Sequence, residues 1–194
     1  MSLHSEVDAL FADHQALVAE MRQPELQQPI VAAAQTMIEC LGNGGTIFIC
    51  GNGGSAADAQ HFAAELTGRF FIKDRRALPG IALTTDTSAL TAIANDYGYH
   101  QVFSRQIEAL GRPGDILVGI STSGRSGNVL EAMDKAYALG LQCIGLVGGD
   151  ASAMAPYCRS VVTVPHRLTA RVQEMHITVI HTWCQLIDNH FGAR

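Results

Sequence analysis

No block of lysine and arginine marks this chain as a nucleic-acid binder. Its 194 residues carry 13 Lys and Arg against 18 Asp and Glu, a formal net charge of −5. Phosphate backbones are gripped by clustered cations, so a broad nucleic-acid surface is not expected, although a small anion held by backbone amides remains open. Apolar stretches are too short and too interrupted to cross a bilayer. The opening MSLHSEVDAL lacks the basic-then-apolar pattern of a secretion signal. The five cysteines (Cys40, Cys50, Cys143, Cys158 and Cys184) are scattered and form no CxxC pair. A disulfide framework is therefore not expected, and the thiols read as reduced, buried small hydrophobes in a cytoplasmic protein. No linker, repeat or low-complexity segment sets off a second module. What the chain does have is apolar content: 47% of its residues are hydrophobic and 16% charged, enough for one buried α/β core.

Two helical patterns come first, roughly Leu3 to Met21 and Gln27 to Leu41. The first has Val7, Leu10, Phe11, Leu17 and Val18 on one stripe, and the second stops at Gly42-Asn43-Gly44-Gly45. Five short apolar runs follow, TIFIC (46–50), GIALT (80–84), ILVGIS (116–121), CIGLV (143–147) and VVTV (161–164). Helical patterns lie between them near 55–68, 87–95, 100–110 and 127–139, and a last helix spans about Thr169 to Asn189. Near-continuous apolar strands alternating with helices predict an α/β fold. The expected architecture is a doubly wound, Rossmann-like, five-stranded parallel sheet flanked by helices, with an N-terminal helical extension. Residues 1–194 form one domain in this reading. Residues 1–43, which the sheet does not need, face either another subunit or the domain's own sheet.

The chemistry concentrates at two strand ends. In ILVGISTSGRS (116–126) a β-run gives way to Ser121, Thr122, Ser123 and Ser126, and a helical pattern follows at once. Free N–H groups and the positive helix end suit an anion, and hydroxyls add donors without formal charge. Hydroxyls also cap ordinary turns, but four in six residues favour a phosphate. The second turn, CGNGGSAADAQHF (50–62), has Gly51, Gly53 and Gly54 for close backbone approach, and Ser55 is placed to cap the helix or touch a ligand. The spacing is not GxGxxG, and no Lys follows the glycines, so a dinucleotide or triphosphate site is not expected.

His61 and Glu65 stand four apart on the next helix, and Arg69 extends the same stripe. Gln173 and His181 share a stripe of the last helix, where His176 and Glu174 point elsewhere. Facing each other, His61, Glu65, Gln173 and His181 make a cluster suited to Zn²⁺ or to metal-free acid–base work. Asn95-Asp96 either cap a helix end or bind a polyol.

The segments CGNGGSAADAQHFAAEL, TAIANDYGYHQVFSRQIEALG, GDILVGISTSGRSGNV and ARVQEMHITVIH resemble the sugar isomerase (SIS) domain family. Within it they are most similar to the bacterial phosphoheptose isomerases. The resemblance covers almost the whole chain, leading helices included. It implies an aldose–ketose isomerase that converts sedoheptulose 7-phosphate to D-glycero-D-manno-heptose 7-phosphate for lipopolysaccharide or other surface heptoses. It also implies a homotetramer and one zinc ion per subunit. On this sequence, Ser121, Thr122, Ser123 and Ser126 match the phosphate loop, and Asn52, Gly53, Gly54 and Ser55 the sugar-binding turn. Asn95 and Asp96 match a further substrate contact, and His61, Glu65, Gln173 and His181 the metal and catalytic positions. Glu65 and His181 are the catalytic candidates, with Arg69, Glu65 and Gln173 also in reach of substrate. Ala170 departs from relatives that have an acid before R-[IV]-Q-E, so any role of that acid is absent here. A non-enzymatic tetrameric relative that binds the bacterial replication initiator is the alternative. It lacks the carboxylate and final histidine that this chain keeps as Glu65 and His181.

Overall fold

The computed structural model describes residues 2–192; Met1, Ala193 and Arg194, the ends of the expected domain, lie outside the described residues. Two helices lead, α1 (Leu3–Glu20) and α2 (Pro24–Gly42). The alternating part follows as β1 (Ile47–Gly51), α3 (Gly54–Thr67), β2 (Gly80–Ala82), α4 (Thr87–Tyr97), a 3₁₀ turn (Tyr99–Gln101) and α5 (Ser104–Leu110). It ends with β3 (Ile116–Ser121), α6 (Gly127–Ala138), β4 (Gln142–Gly148), β5 (Cys158–Val164) and α7 (Thr169–Phe191). All strand pairings are parallel, in the order β2-β1-β3-β4-β5. This is the doubly wound five-stranded sheet that the apolar runs predict.

Strand alternation divides the core into two layers. Ile47, Ile49, Ile116, Val118, Ile120, Ile144 and Leu146 face α2, α3 and α7, whereas Phe48, Cys50, Leu117 and Cys143 face α5 and α6. Asp115, itself buried, accepts from the backbone N–H groups of Thr46 and Arg112 and so aligns the start of β1 with that of β3. The five cysteines are free thiols, as expected of this composition.

Three expectations need correction. The pattern at 100–110 is not one helix: the chain turns about Val102 and Phe103, both buried, which separates the 3₁₀ turn from α5. α3 ends at Thr67 and Gly68 leaves helical geometry (ψ −102°), so Arg69 does not extend the His61–Glu65 stripe. α1 does not cap its own sheet. Leu17 is its buried residue, while Leu3, Val7, Leu10 and Phe11 are all more than half exposed.

α3 and α7 run side by side in the same direction, Phe62 against Trp183 and His61 against His181. A buried ion pair locks them where both helices leave the site. Arg75 Nε donates to Asp188 Oδ1 of α7, and its terminal nitrogens donate to the carbonyls of Glu65, Leu66 and Arg76. Asp188 Oδ2 accepts from the N–H groups of Phe71 and Ile72. Removing one partner of such a pair strands the other in the core. Asp188→Ala is expected to lower unfolding free energy by about 3–5 kcal/mol, read by chemical denaturation.

His176 of α7 is a core residue, but not a satisfied one. It has no exposed surface, and neither ring nitrogen makes a hydrogen bond among the described residues. Burial pushes its imidazole down to about 4, opposed in part by the backbone of Val147. A folded-state value below the usual 6.5 means that the unfolded chain binds more protons in acid. The stability contribution is therefore full above pH 6.5 and falls away as the pH drops toward 4. Between pH 7 and pH 4.5 the wild type is expected to lose about 2–3 kcal/mol more stability than His176→Leu, read by chemical denaturation of both proteins at both pH values.

Candidate active site

Strand order alone selects a place. The chain leaves β1 and β3 toward opposite directions of the sheet, and the crevice between their carboxyl ends is where open α/β sheets bind ligands. Two loops meet there. The β1 loop turns through Gly53 (φ +56°), which is also the N-cap of α3; Ser55 lies inside the first turn and is buried, so it is not the cap. The β3 loop carries the hydroxyls. Asn52 and Asn128, the latter in the first turn of α6, exchange side-chain amide hydrogen bonds of 2.8 Å each, and Tyr99 donates to Asn52 Oδ1 at 3.1 Å. Asn128 and Tyr99 were not among the sequence candidates. A single amide inside a helical pattern carries no periodic signal, and the Gly98-Tyr99 step was the available hint.

In the β3 loop, Ser121 Oγ lies 2.8 Å from Ser126 Oγ and 3.4 Å from Ser123 Oγ. Ser126 is the N-cap residue of α6, yet its hydroxyl makes no capping bond. The hydroxyls thus converge on one another ahead of a helix N-terminus instead of serving its backbone. That is an arrangement suited to a tetrahedral anion. The neighbouring cation, Arg125, pairs with Asp150 at 2.6 Å and holds that carboxyl well below the usual range.

The second half of the site comes from α3 and α7. His61 Nε2 lies 2.9 Å from His181 Nε2 and 3.5 Å from Glu65 Oε1. Phe70 packs beside His181, with ring centroids 5.5 Å apart. Gln173 is seated against Gly54: a Cβ added there would fall 1.5 Å from Gln173 Nε2. Glycine at 54 therefore makes space for an amide, and α7 touches the glycine loop directly. Asn95 and Asp96 are not drawn in. They lie exposed in the last turn of α4 and bond to each other at 2.8 Å, neither capping the helix nor meeting the other candidates. Arg69 is exposed and bonds to the carbonyl of its neighbour Phe70. Ala170 is exposed in the first turn of α7.

The donor set of two imidazoles, a carboxylate and an amide oxygen has the chemistry of a zinc site, with Gln173 its least usual member. Among the described residues, no group of three or more His, Cys, Asp or Glu is arranged to hold a metal as it stands. The reason is local. His61 and His181 share a hydrogen bond, whereas two nitrogens on one tetrahedral zinc stand roughly 3.3 Å apart. The donor chemistry fits the ion, with the two imidazoles and the carboxylate already side by side.

A SIS domain model matches residues 10–148. Campylobacter jejuni phosphoheptose isomerase is 56% identical over 185 residues, covering 95% of this chain and 98% of the relative. The chain belongs to the SIS-domain phosphoheptose isomerases. The Helicobacter pylori phosphoheptose isomerase is 55% identical over 169 residues, 87% of this chain and 88% of the relative. Among solved structures, the Neisseria gonorrhoeae phosphoheptose isomerase superposes with a TM-score of 0.90 at 50% identity, and the Francisella tularensis one with 0.92 at 37%. Each covers 97% of this chain and 100% of the other. The chain is thus an isomerase, and its family acts on sugar phosphates. No helix among the described residues is long and apolar enough to cross a membrane.

The contact between Gly54 and Gln173 gives a direct test. Gly54→Ala is expected to fold, to displace the Gln173 amide, and to lower isomerase kcat/KM by about 100-fold, the usual cost of an ångström-scale misplacement. Steady-state kinetics beside a melting curve check it.

Proposed function

We propose that this enzyme interconverts sedoheptulose 7-phosphate and D-glycero-D-manno-heptose 7-phosphate through an enediol. The observation that carries the reading is the convergence of His61, Glu65 and His181 on helices that start from the same edge of the sheet as the hydroxyl loop. Ser121, Thr122, Ser123 and Ser126, with the start of α6, anchor the phosphate. Asn52, Gly53, Gly54, Ser55 and Gln173 line the sugar chain. Anchoring the far end fixes C1 and C2 beside the reacting groups and removes most of their orientational freedom.

Glu65 takes the proton from C1 of the ketose and returns it to C2. His181 moves the hydroxyl proton between O1 and O2, and earlier opens the sugar ring by accepting the anomeric hydroxyl proton and returning it to the ring oxygen as the ring C–O bond breaks. Zinc, one per subunit, would be held by His61, Glu65, Gln173 and His181, and when bound it supplies Lewis-acid polarisation of the carbonyl. A carboxylate has two oxygens, so ligation by one leaves the other for the proton.

The exposed stripe of α1 supports a homotetramer in which residues 1–43 face neighbouring subunits. A cavity of about 460 Å³ beside it, lined by Leu10, Phe11, His14 and residues of α7, suits the same role. Placement in the cytoplasm follows from a phosphorylated sugar substrate and reduced thiols. The relatives reported above are isomerases, and none lends support to replication-initiator binding.

Purified protein mixed with sedoheptulose 7-phosphate is expected to form the aldose, detected by anion-exchange chromatography or NMR. Glu65→Gln and His181→Ala are each expected to lower turnover by about 10²–10⁴-fold with unchanged melting temperature. Near-wild-type turnover in either removes that residue's role.

A further inference from the structure

Asn52 and Asn128 forgo the bonds that asparagine usually makes. In a loop turn or in the first turn of a helix, its side chain commonly bonds to nearby backbone. Neither does so here among the described residues. Each amide instead gives a donor and an acceptor to the other, across 76 residues of chain. A third bond comes from a different element. Gly98 (φ +93°) ends α4 and turns the chain, and the Tyr99 hydroxyl beyond it donates to Asn52 Oδ1 at 3.1 Å. A primary amide has two N–H donors and a carbonyl oxygen with two lone pairs. Both lone pairs of Asn52 Oδ1 are taken, by Asn128 Nδ2 and by the Tyr99 hydroxyl. One N–H of Asn52 Nδ2 is taken by Asn128 Oδ1, and one is left, on a half-buried side chain at the carboxyl end of β1. Turning the Asn52 amide over would set nitrogen against nitrogen and oxygen against oxygen. Asn128 is 6% exposed, so water does not readily relieve that mismatch.

We propose that Asn128 and Tyr99 are positioning residues that act through Asn52, holding its amide so that the one free N–H is offered to a sugar oxygen. This rests on the reading of Asn52 as a sugar contact. Toward a ligand the held amide is a donor only, so it matches a hydroxyl or carbonyl oxygen with a lone pair to give. Asn128 also stands two residues past Ser126. The same pair therefore sets the distance between the hydroxyl loop and the sugar contact, which a ligand bound at both ends has to span.

A double-mutant cycle on kcat/KM with sedoheptulose 7-phosphate, joined to one spectroscopic reading, tests this. Asn128→Leu is expected to lower kcat/KM by about 10–100-fold, and Tyr99→Phe by about 3–10-fold. Tyr99 is 61% exposed, so its variant keeps the fold even where Asn128→Leu does not. In an Asn52→Ala background, either second change is expected to alter kcat/KM by less than about 2-fold, because the amide it acts on is gone. A loss that persists undiminished in that background overturns the proposal, as does near-wild-type kcat/KM in both single variants. With ¹⁵N-labelled asparagine, sedoheptulose 7-phosphate is expected to move one of the two Asn52 Nδ2 proton resonances, and Asn128→Leu the other. Asn52 resonances that are unchanged in Asn128→Leu overturn the pairing, and the proposal with it, while the substrate reading stands. Resonances that respond to Asn128→Leu, together with wild-type turnover in Asn52→Ala, overturn the proposal through its premise: the pairing is then real and Asn52 is no sugar contact.

Discussion

A guanidinium with almost no exposure joins the two helices that bear the imidazoles and the carboxylate of the site. Arg75 sits between the end of α3 and the last turns of α7, and its donors are spent on Asp188 and three backbone carbonyls. Two of those carbonyls, of Glu65 and Leu66, belong to the last turn of α3, where a helix leaves its oxygens unpaired. Taking both charges out of water costs several kcal/mol, which full hydrogen bonding offsets and a half-made pair does not. The clamp thereby fixes the backbone at Glu65 relative to a point on α7 two turns beyond His181. Neither helix can slide without breaking several bonds at once, so the 2.9 Å approach of His61 to His181 follows from an interaction that touches neither ring.

At the other end of the same helices the constraint is one of space. Gly54 lets the Gln173 amide lie where any side chain would stand, so the glycine loop and α7 are in contact at the first turns of both helices. Across the crevice, the reciprocal amides of Asn52 and Asn128 tie the glycine loop to the start of α6. The hydroxyl loop and the imidazole–carboxylate cluster are thus braced to one another through side chains, within a chain of net charge −5. Hydroxyls and helix N–H groups offer an anion fixed dipoles, and the one arginine of the loop is already spent on Asp150. Recognition of this kind depends less on bulk charge than on how well the donors are held.

Much of this was legible in advance, and for identifiable reasons. β3 was read at its true limits because an unbroken apolar run meets a cluster of hydroxyls there. β5 was read short because Cys158, Arg159 and Ser160 lie at a sheet edge, where partial exposure relaxes the apolar pattern. His61 and Glu65 were visible from helical spacing, and Gln173 and His181 from theirs. That the two pairs meet depends on parallel packing of elements more than a hundred residues apart. Arg69 was misplaced because a spacing rule was carried past Gly68, where the helix had ended. The Arg75–Asp188 pair, 113 residues apart, left no local trace, since an arginine in a polar loop looks the same whether it is solvated or buried.

α1 buries only the C-terminal end of its apolar stripe in its own domain, through Leu17, and this bears on how assembly would reach the site. Polar contacts hold the helix beside that anchor. His14 meets Glu174 at 2.8 Å, Arg171 donates to the Leu10 carbonyl, and Asp13 faces His166. Leu3, Val7, Leu10 and Phe11, on the rest of the stripe, are more than half exposed. A monomer would leave them in water while pairs of modest worth held the helix to α7. Covering the stripe with other copies removes the apolar surface from water and presses α1 onto α7 at Arg171 and Glu174, the residues that flank Gln173. Under the tetrameric reading, the interface and the amide that sits on Gly54 share one turn of helix. Subunit association would then steady the same turn that seats Gln173 on Gly54.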